Sequence, residues 1–381
     1  MAASGSPPVR VWRFLKRTDW PLLPVTGMIL LAGLIMQWSI GGADALPKGH
    51  MVRMAAVGVT CAIGASIPAR LWRSQAWLVY AGCIGFLLSV FVIGDSTNNA
   101  RRWIDLGGGF KLQPSEFAKL GIILALARWF ASRPRPRRMT ELTTPALLTV
   151  VPFGLILIQP DLGTALSTVP LFLALAWLAG TPGRVMRWFF ILPVLLAPFA
   201  FLAIQDYQRE RIETWWRQDH LSEEEIADAG YHLWHAKLAI GSGGWTGHGW
   251  GQGPENRLDR LPERHNDFIF PVIAEEFGFL GSLAFLFLYS LLPVTAFVRA
   301  SRYRDPFTRL VVAGIGVHFA THLCLNVGVS SGAWPTTGLP LPMVSWGGSS
   351  MAVSGLLLGV ALSAGAAPAP LFERRAYGDD D

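Results

Sequence analysis

The chain has 381 residues, of which 51% are apolar and only 15% are charged, and its formal net charge is +6. A soluble domain usually carries about 25% charged residues, so this chain has too little charge to cover a surface that faces water. The composition therefore excludes an ordinary soluble globular domain and indicates an all-α polytopic membrane protein.

Apolar runs of roughly 17 to 25 residues, long enough to cross a bilayer, recur along the chain and predict about ten transmembrane helices. The first run is too long for a cleavable signal peptide, and no small-residue cleavage site follows it, so we expect it to remain as a span. In chain order the predicted spans are residues 21–40, 51–68, 75–94, 114–131, 143–160, 162–180, 186–206, 268–298, 308–331 and 341–364.

The predicted spans divide the chain into an N-terminal tail (1–20), a ten-span domain (21–364) and a C-terminal tail (365–381). Within the domain, a long loop, 207–267, separates the seventh span from the eighth. Loops of this length in compact proteins are commonly functional.

The basic residues predict the orientation. About 19 of the 32 Lys and Arg residues lie in the two tails and in alternate loops, which the positive-inside rule assigns to the cytoplasm. An even number of spans then places both termini in the cytoplasm and the loop 207–267 on the outer face of the membrane. The positive charge is thus explained by topology and by anionic membrane lipids, and it gives no indication of nucleic-acid binding.

Three polar, glycine-rich stretches are predicted on the outer face, at 95–120, 207–267 and 326–350. The first leads into a span that contains Glu116 and Lys119, which are neighbours on one helix face. Ionisable residues inside a span indicate function, although a structural ion pair would give the same pattern.

Basic and aromatic residues precede this pair. Adjacent arginines and a tryptophan at a membrane interface suit lipid headgroups in general or one particular phosphate, and the sequence does not distinguish the two. These residues are Arg101, Arg102, Trp103 and Lys111.

Several polar residues have two interpretations. Asp161, in "QPDLGTAL", can cap the following helix or take part in catalysis. The pairs His232/His235 and His318/His322 have spacings that could hold a metal, but no third ligand lies nearby in sequence. His318, His322 and Asn326 instead predict a polar stripe that lines the interior of the bundle.

"LPERHNDFIFPVIAEEFGF", 261–279, surrounds an apolar run with charged residues. Asp267 lies at the mouth of the eighth span, where partial burial can adjust its pKa for general-base catalysis. The alternative is a capping role at the start of that span.

Five segments resemble, in order and spacing, the SEDS (shape, elongation, division and sporulation) family of peptidoglycan glycosyltransferases, and the resemblance covers about residues 15 to 365. "TDWPLL" and "QPDLG" favour the elongation branch over the division branch. The chain departs from the family at Asn266, Pro271 and Trp346, where Thr, Ala and Tyr are usual. The segments are "NARRWIDLGGGFKLQPSEFAKL", "QPDLGTAL", "GYHLWHAKLAIGSGG", "LPERHNDFIFPVIAEEFGFLG" and "GLPLPMVSWGGSS".

The resemblance implies an enzyme that polymerises lipid II on the outer face of the bacterial cytoplasmic (inner) membrane, using a glycan on undecaprenyl pyrophosphate as donor. It also implies a class B penicillin-binding protein as the cross-linking partner. The family's essential aspartate matches Asp267, and its polar residues in the fourth span match Glu116 and Lys119. No residue is assigned as a metal ligand, although a divalent cation (Mg or Mn) could assist.

Arg101, Arg102, Lys111 and Lys119 are then the candidates to hold the departing pyrophosphate. The other candidate substrate-binding residues are Trp103, Glu116, Asp161, Lys237, Glu263, His265, Ser345 and Ser349. A lipid II flippase, a structural scaffold, and a division or sporulation member of the same family are the alternatives. A transporter alternates access and has no need of a base at one mouth, so the role of Asp267 distinguishes it from the enzyme.

Overall fold

The structure is a computed structural model that describes residues 21–366 apart from 43–46, 98–99, 106, 108–110, 192–205 and 229. The side chains of residues 95–97, 100–101 and 206–207 are also outside the description. The predicted N-terminal tail and residues 367–381 of the C-terminal tail therefore lie outside the described residues.

Helices make up most of the described chain, as the sequence predicts. A 3-10 turn, Met139–Leu142, precedes α6, and a further helical stretch runs from 183 to 191. The helices are α1 (Leu22–Ile40), α2 (Lys48–Ser66), α3 (Ala69–Ser74), α4 (Ala76–Ile93), α5 (Pro114–Ala131), α6 (Thr143–Ile158), α7 (Leu162–Leu178), α8 (Asp206–Trp216), α9 (Glu223–Ala227), α10 (Tyr231–Ser242), α11 (Pro254–Arg257), α12 (Ile269–Ala300), α13 (Pro306–Ser330) and α14 (Gly348–Ala366).

Six segments of the described chain are long and apolar enough to cross a membrane. The predicted second, fourth and sixth spans are also helical, as α2, α5 and α7 of 19, 18 and 17 residues. The predicted seventh span, 186–206, lies mostly outside the described residues. The six segments are Leu22–Ile40, Ala76–Ile93, Met139–Ile158, Ile269–Ala300, Pro306–Ser330 and Gly348–Gly365.

The polar stretch 95–120 contains a small antiparallel sheet, which the sequence pattern does not predict. Its strands are β1 (Asp95–Thr97), β2 (Ala100–Asp105) and β3 (Lys111–Leu112), with β2 in the centre. Pro114 follows β3 as the first residue of α5, a position where its missing N–H costs nothing. The sheet therefore places β2 and β3 next to the N-terminal end of α5.

Glycines allow α2 and α14 to pack closely. A Cβ atom on Gly64 would lie 2.7 Å from the carbonyl oxygen of Leu356, and one on Gly355 would lie 2.3 Å from that of Val57. Real side chains do not approach so closely, so the contact requires glycine. Small residues serve this purpose commonly between membrane helices.

Helix α12 is broken at Gly278, whose φ of 65° and ψ of −164° are not helical. The glycine-rich part of the loop 207–267 bonds to the backbone groups beside the break. Phe279 donates its N–H to Gly244 O at 2.8 Å, and His248 donates to Glu275 O at 3.0 Å. Irregular backbone at membrane depth is tolerated where other protein groups satisfy it, and the break thus joins α12 to the loop.

Candidate active site

Asp267 lies at the end of a tight turn directly before α12. Glu263 begins the turn with a φ of 51°, in the left-handed region that few residues other than glycine adopt. Its carbonyl oxygen accepts the backbone N–H groups of Asn266 and Asp267 at 2.9 and 3.1 Å. Residues in such conformations are concentrated at functional sites, where the surrounding structure holds them.

The His265 part of the turn is held by two distant segments. Its carbonyl oxygen accepts the backbone N–H of Trp346 at 2.8 Å and the side-chain amide of Gln37, in α1, at 2.9 Å. The His265 ring lies edge-to-face against Trp346, with ring centroids 5.1 Å apart. Burial, and then the positive charge of Arg264, lowers the pKa of His265.

The next two carbonyl groups are also held. The buried hydroxyl of Ser345 donates to Asn266 O at 2.5 Å, and the side-chain amide of Asn326 donates to Asp267 O at 2.9 Å. Three consecutive carbonyl groups of the turn therefore have fixed partners from three parts of the chain. The backbone beneath the Asp267 carboxyl group is firmly positioned.

One wall beside this carboxyl group is the segment 336–340. Gly338 has a φ of 67°, and a Cβ atom on it would lie 3.3 Å from Asp267 Oδ2. A Cβ atom on Gly163, in the first turn of α7, would lie 2.3 Å from the carbonyl oxygen of Thr337. Glycine at these two positions lets the segment pass between α7 and Asp267.

Burial and neighbouring charges shift the pKa of the Asp267 carboxyl group. Its pKa is raised to about 7, chiefly because burial disfavours the charged form and secondarily because Glu263 and Asp161 are negative neighbours. Arg211 and Arg102 act in the opposite direction. A group whose pKa lies near the working pH can both accept and release a proton, as a general base must.

The two arginines come from different elements. Arg102, half-buried in β2, donates to the carbonyl oxygen of Gln159 at 3.1 Å and to that of Pro160. Arg211, in α8, donates to the carbonyl oxygen of Thr336 at 3.3 Å. Both cations act on the Asp267 carboxyl group, so both lie close enough to interact with an anionic group bound beside it.

The two capping hypotheses have different outcomes. Asp161 caps α7 as predicted, because its side chain accepts the backbone N–H of Thr164 at 3.1 Å. It also accepts the side-chain amide of Gln113 at 2.9 Å. The capping hypothesis for Asp267 is wrong, since Phe268 is the N-cap of α12 and no side chain caps that helix.

Glu116 and Lys119 form a buried ion pair, with Lys119 Nζ 2.7 Å from Glu116 Oε1. Lys119 Nζ also lies 2.8 Å from Nε2 of His322, whose Nδ1 lies 3.1 Å from the carbonyl oxygen of Pro340. A ring nitrogen that faces a carbonyl oxygen carries the hydrogen, so His322 donates to Pro340 and accepts from Lys119. The pair therefore contacts the segment 336–340 through His322.

Ser349 and Lys111 meet at the start of α14. The Ser349 hydroxyl donates to Lys111 O at 2.9 Å and accepts the backbone N–H of Gln113 at 2.9 Å. It thereby joins β3 to α14, while the Lys111 residue is exposed.

The remaining predicted residues lie in β2 and α10. Lys237, in α10, forms an ion pair with Asp219 at 3.0 Å. Trp103 is half-buried in β2, and Arg101 precedes Arg102 in the same strand, but the side chain of Arg101 lies outside the described part of the structure.

Sequence reasoning misses two contributors to the site and gives only a partial account of a third. Gln37 is a lone polar residue within an apolar span, which could have drawn attention to it. Asn326 belongs to the predicted polar stripe, but its contact with Asp267 depends on the tertiary fold. Arg211 is one of several charged residues in the loop 207–267, and no local pattern distinguishes it.

The described residues contain no group of three or more His, Cys, Asp or Glu side chains arranged to hold a metal ion. His235 is instead paired with Glu255 at 2.5 Å, and His318 packs against His322 with ring centroids 4.6 Å apart. Positive charge near Asp267 comes from Arg102 and Arg211.

The chain is a multi-pass helical membrane protein in which two arginines act on a desolvated carboxyl group. Comparison with known proteins defines its family. The family model for cell cycle proteins of the FtsW/RodA/SpoVE type matches residues 20–367. The chain belongs to this family.

Individual relatives are similar over nearly the whole chain. Peptidoglycan glycosyltransferase MrdB of Escherichia coli is 35% identical over 357 residues, which cover 91% of this chain and 95% of the relative. A probable peptidoglycan glycosyltransferase FtsW of Halorhodospira halophila is 33% identical, with 95% of this chain and 93% of the relative covered.

Two solved structures have the same fold. A chain from a peptidoglycan synthase complex that coordinates polymerization and crosslinking has a TM-score of 0.78 and 30% identity, covering 95% of this chain and 99% of that chain. The rod shape determining protein RodA of Thermus thermophilus has a TM-score of 0.68 and 28% identity, covering 95% and 98%.

Proposed function

We propose that this protein is a peptidoglycan glycosyltransferase that polymerises lipid II into glycan strands for cell elongation and rod shape. Its relatives named as peptidoglycan glycosyltransferases match over nearly their whole length. The observation that carries the proposal is the Asp267 carboxyl group, which has a pKa of about 7 and lies beside two arginines.

In the proposed reaction, the 4-hydroxyl oxygen of lipid II attacks the anomeric carbon of the donor glycan. The bond from that carbon to the pyrophosphate oxygen breaks, and its electron pair leaves with undecaprenyl pyrophosphate. Asp267, as the carboxylate, accepts the proton of the attacking hydroxyl group. An α-linked donor gives a β-linked product by this single displacement, so no covalent enzyme intermediate is required.

The leaving group develops negative charge that needs stabilisation. Arg102 and Arg211 are the described cations that act on the Asp267 carboxyl group, and we assign them to the departing pyrophosphate. Lys119 is fully buried against Glu116 and His322, so we assign it a supporting role beneath the site. Lys111 lies in β3, and Lys237 lies in α10, where it pairs with Asp219.

The proposed site faces outward. The distribution of basic residues supports cytoplasmic termini, which places Asp267 and the long loop on the outer side of the membrane. Both substrates have lipid tails, so they reach the site from the bilayer.

We further propose that the partner is a cross-linking enzyme of the class B penicillin-binding type. The similarity to a chain of a synthase complex that combines polymerization with crosslinking supports this assignment. Lipid II and the glycan on undecaprenyl pyrophosphate are the proposed substrates.

The test is polymer formation from lipid II by the purified protein, with and without the partner. A glycosyltransferase lengthens the glycan in detergent, where no membrane separates two compartments. A flippase moves fluorescent lipid II across vesicles and makes no polymer, and a scaffold does neither. Absence of polymer under both conditions would contradict the proposal.

A further inference from the structure

We propose that Asn326 is a positioning residue that sets the environment of the Asp267 carboxyl group. This inference rests on the proposed role of Asp267 as the base. Asn326 is 1% exposed and lies near the C-terminal end of α13.

The two hydrogens of the Asn326 amide reach two different segments. Nδ2 donates to Asp267 O at 2.9 Å and to Leu339 O at 3.0 Å. The opposite orientation of the amide would direct its oxygen at two carbonyl oxygens, so hydrogen bonding fixes the orientation. One side chain therefore ties the backbone of Asp267 to the segment 336–340.

This tie controls the position of the wall beside the carboxyl group. Leu339 directly follows Gly338, the glycine on which a Cβ atom would lie 3.3 Å from Asp267 Oδ2. If Asn326 no longer held Leu339 O, the wall could move away and water could reach the carboxyl group. Burial is the largest cause of the raised pKa of Asp267, so that pKa would then fall towards its ordinary value.

The next residue of the wall is held in a parallel manner. His322, one helical turn before Asn326, donates to Pro340 O at 3.1 Å and accepts from Lys119. Two consecutive carbonyl groups of the wall are thus bound by α13. Asn326 is the member of this pair that also contacts Asp267.

Charged groups face Asp267 from several elements: Glu263 from its own turn, Asp161 from the start of α7, Arg102 from β2 and Arg211 from α8. None of them changes in a variant of Asn326. A change in the titration of Asp267 would therefore report altered exposure of its carboxyl group to water.

The experiment uses Asn326→Leu and Asn326→Met, which remove both N–H donors of the amide and still fill its space. The methionine side chain is the more flexible of the two and adapts more easily to the space. The matched control is Ser330→Ala, because Ser330 lies one turn further along α13 and bonds only to the backbone oxygen of Asn326, at 2.7 Å. The protonation of Asp267 is followed by infrared difference titration. The band of its protonated carboxyl group is identified as the one that is lost in Asp267→Asn. Polymerisation of lipid II is measured against pH in parallel.

In the Asn326 variants we expect the midpoint of this band to fall by roughly one pH unit. We also expect kcat to fall by about 10²-fold, as small misplacements of catalytic groups cause, while KM changes little. The acidic limb of the rate profile should move in the same direction as the band, and Ser330→Ala should behave as the wild type.

An unchanged midpoint and an unchanged pH profile in whichever Asn326 variant folds would overturn the inference. The titration needs no activity, so it separates this inference from the proposed function. Normal polymerisation by Asp267→Asn would refute the role of Asp267 as the base. The shift of the infrared band in the Asn326 variants would still decide the role of Asn326.

Discussion

The carboxylate of Glu276, in α12, accepts a hydrogen bond of 2.5 Å from the hydroxyl group of Ser39, in α1. The side-chain amide of Asn256 donates to the same carboxylate at 2.9 Å. The adjacent Glu275 accepts the backbone N–H of Glu255 at 2.7 Å. The two acidic residues that follow an apolar run in the sequence therefore hold the loop 207–267 against the broken part of α12.

We expect Glu275→Ala to destabilise the protein, because it leaves the N–H groups of Glu255 and Asn256 without their acceptor. Hydrogen bonds to charged groups contribute about 1.5–3 kcal/mol each, and Glu275→Gln, which keeps one acceptor, should lose less. Thermal unfolding in detergent measures the difference. Glu224→Ala, at an exposed position in α9, is the control, and equal melting of all four proteins would contradict the assignment.

The sequence predicts the helical class because each apolar run is long enough to cross a bilayer by itself, and α1, α12 and α13 lie close to their predicted positions. It does not predict the break at Gly278. Glycine is common in membrane helices, and this break depends on backbone bonds from a loop thirty or so residues earlier in the chain.

For the site, the sequence indicates Asp267 and the Glu116–Lys119 pair because charge at membrane depth is costly and needs a reason. It does not reveal that Lys119 reaches His322, more than 200 positions away, since only the packing of α5 against α13 brings them together. The contact of Asn326 with Asp267 is hidden from the sequence for the same reason.

We expect Asp267→Asn to lower kcat by roughly 10²–10⁴-fold, because it keeps the size of the side chain and removes its basicity. Lipid II binding should persist. In the wild type, only the carboxylate accepts a proton, so kcat/KM should rise with pH up to a pKa of about 7 and then level off. Polymer yield against time and pH, at matched expression, measures both effects.

Glu263→Gln is the control for this substitution, since Glu263 is exposed and lies four residues before Asp267. It removes a negative neighbour that raises the pKa of Asp267, so the acidic limb should move to lower pH with little loss of maximal rate. Near-normal yield from Asp267→Asn together with loss in Glu263→Gln would assign the base to Glu263.

We expect the double variant Glu116→Gln with Lys119→Met to fold but to polymerise poorly. Removing one partner alone leaves an uncompensated buried charge, which costs about 3–5 kcal/mol, whereas the double variant leaves none. It nevertheless removes the donor to His322 behind the segment 336–340. Melting temperature and polymer yield of the single and double variants test this, and wild-type yield from the double variant would limit the pair to a structural role.

Reporter fusions test the proposed orientation. A reporter that works only outside the cytoplasm should be silent when fused at residue 381 and active when inserted in 217–222, between α8 and α9. The physical reason is the concentration of Lys and Arg in the tails and alternate loops. An active reporter at the C-terminus would refute the proposed topology.

Finally, we expect Gly338→Ala to reduce polymerisation more than it reduces stability. An L-residue at a φ of 67° costs about 1–2 kcal/mol, and the added methyl group would lie 3.3 Å from Asp267 Oδ2. Gly42→Ala is the matched control, because Gly42 has a φ of 90° with no atom within 4 Å of the position of its Cβ. Both variants should therefore show a similar fall in melting temperature. Only Gly338→Ala should also have a lower polymerisation rate per folded molecule than the wild type. Equal activity per folded molecule in the two variants would show that the wall at Gly338 does not influence the Asp267 carboxyl group.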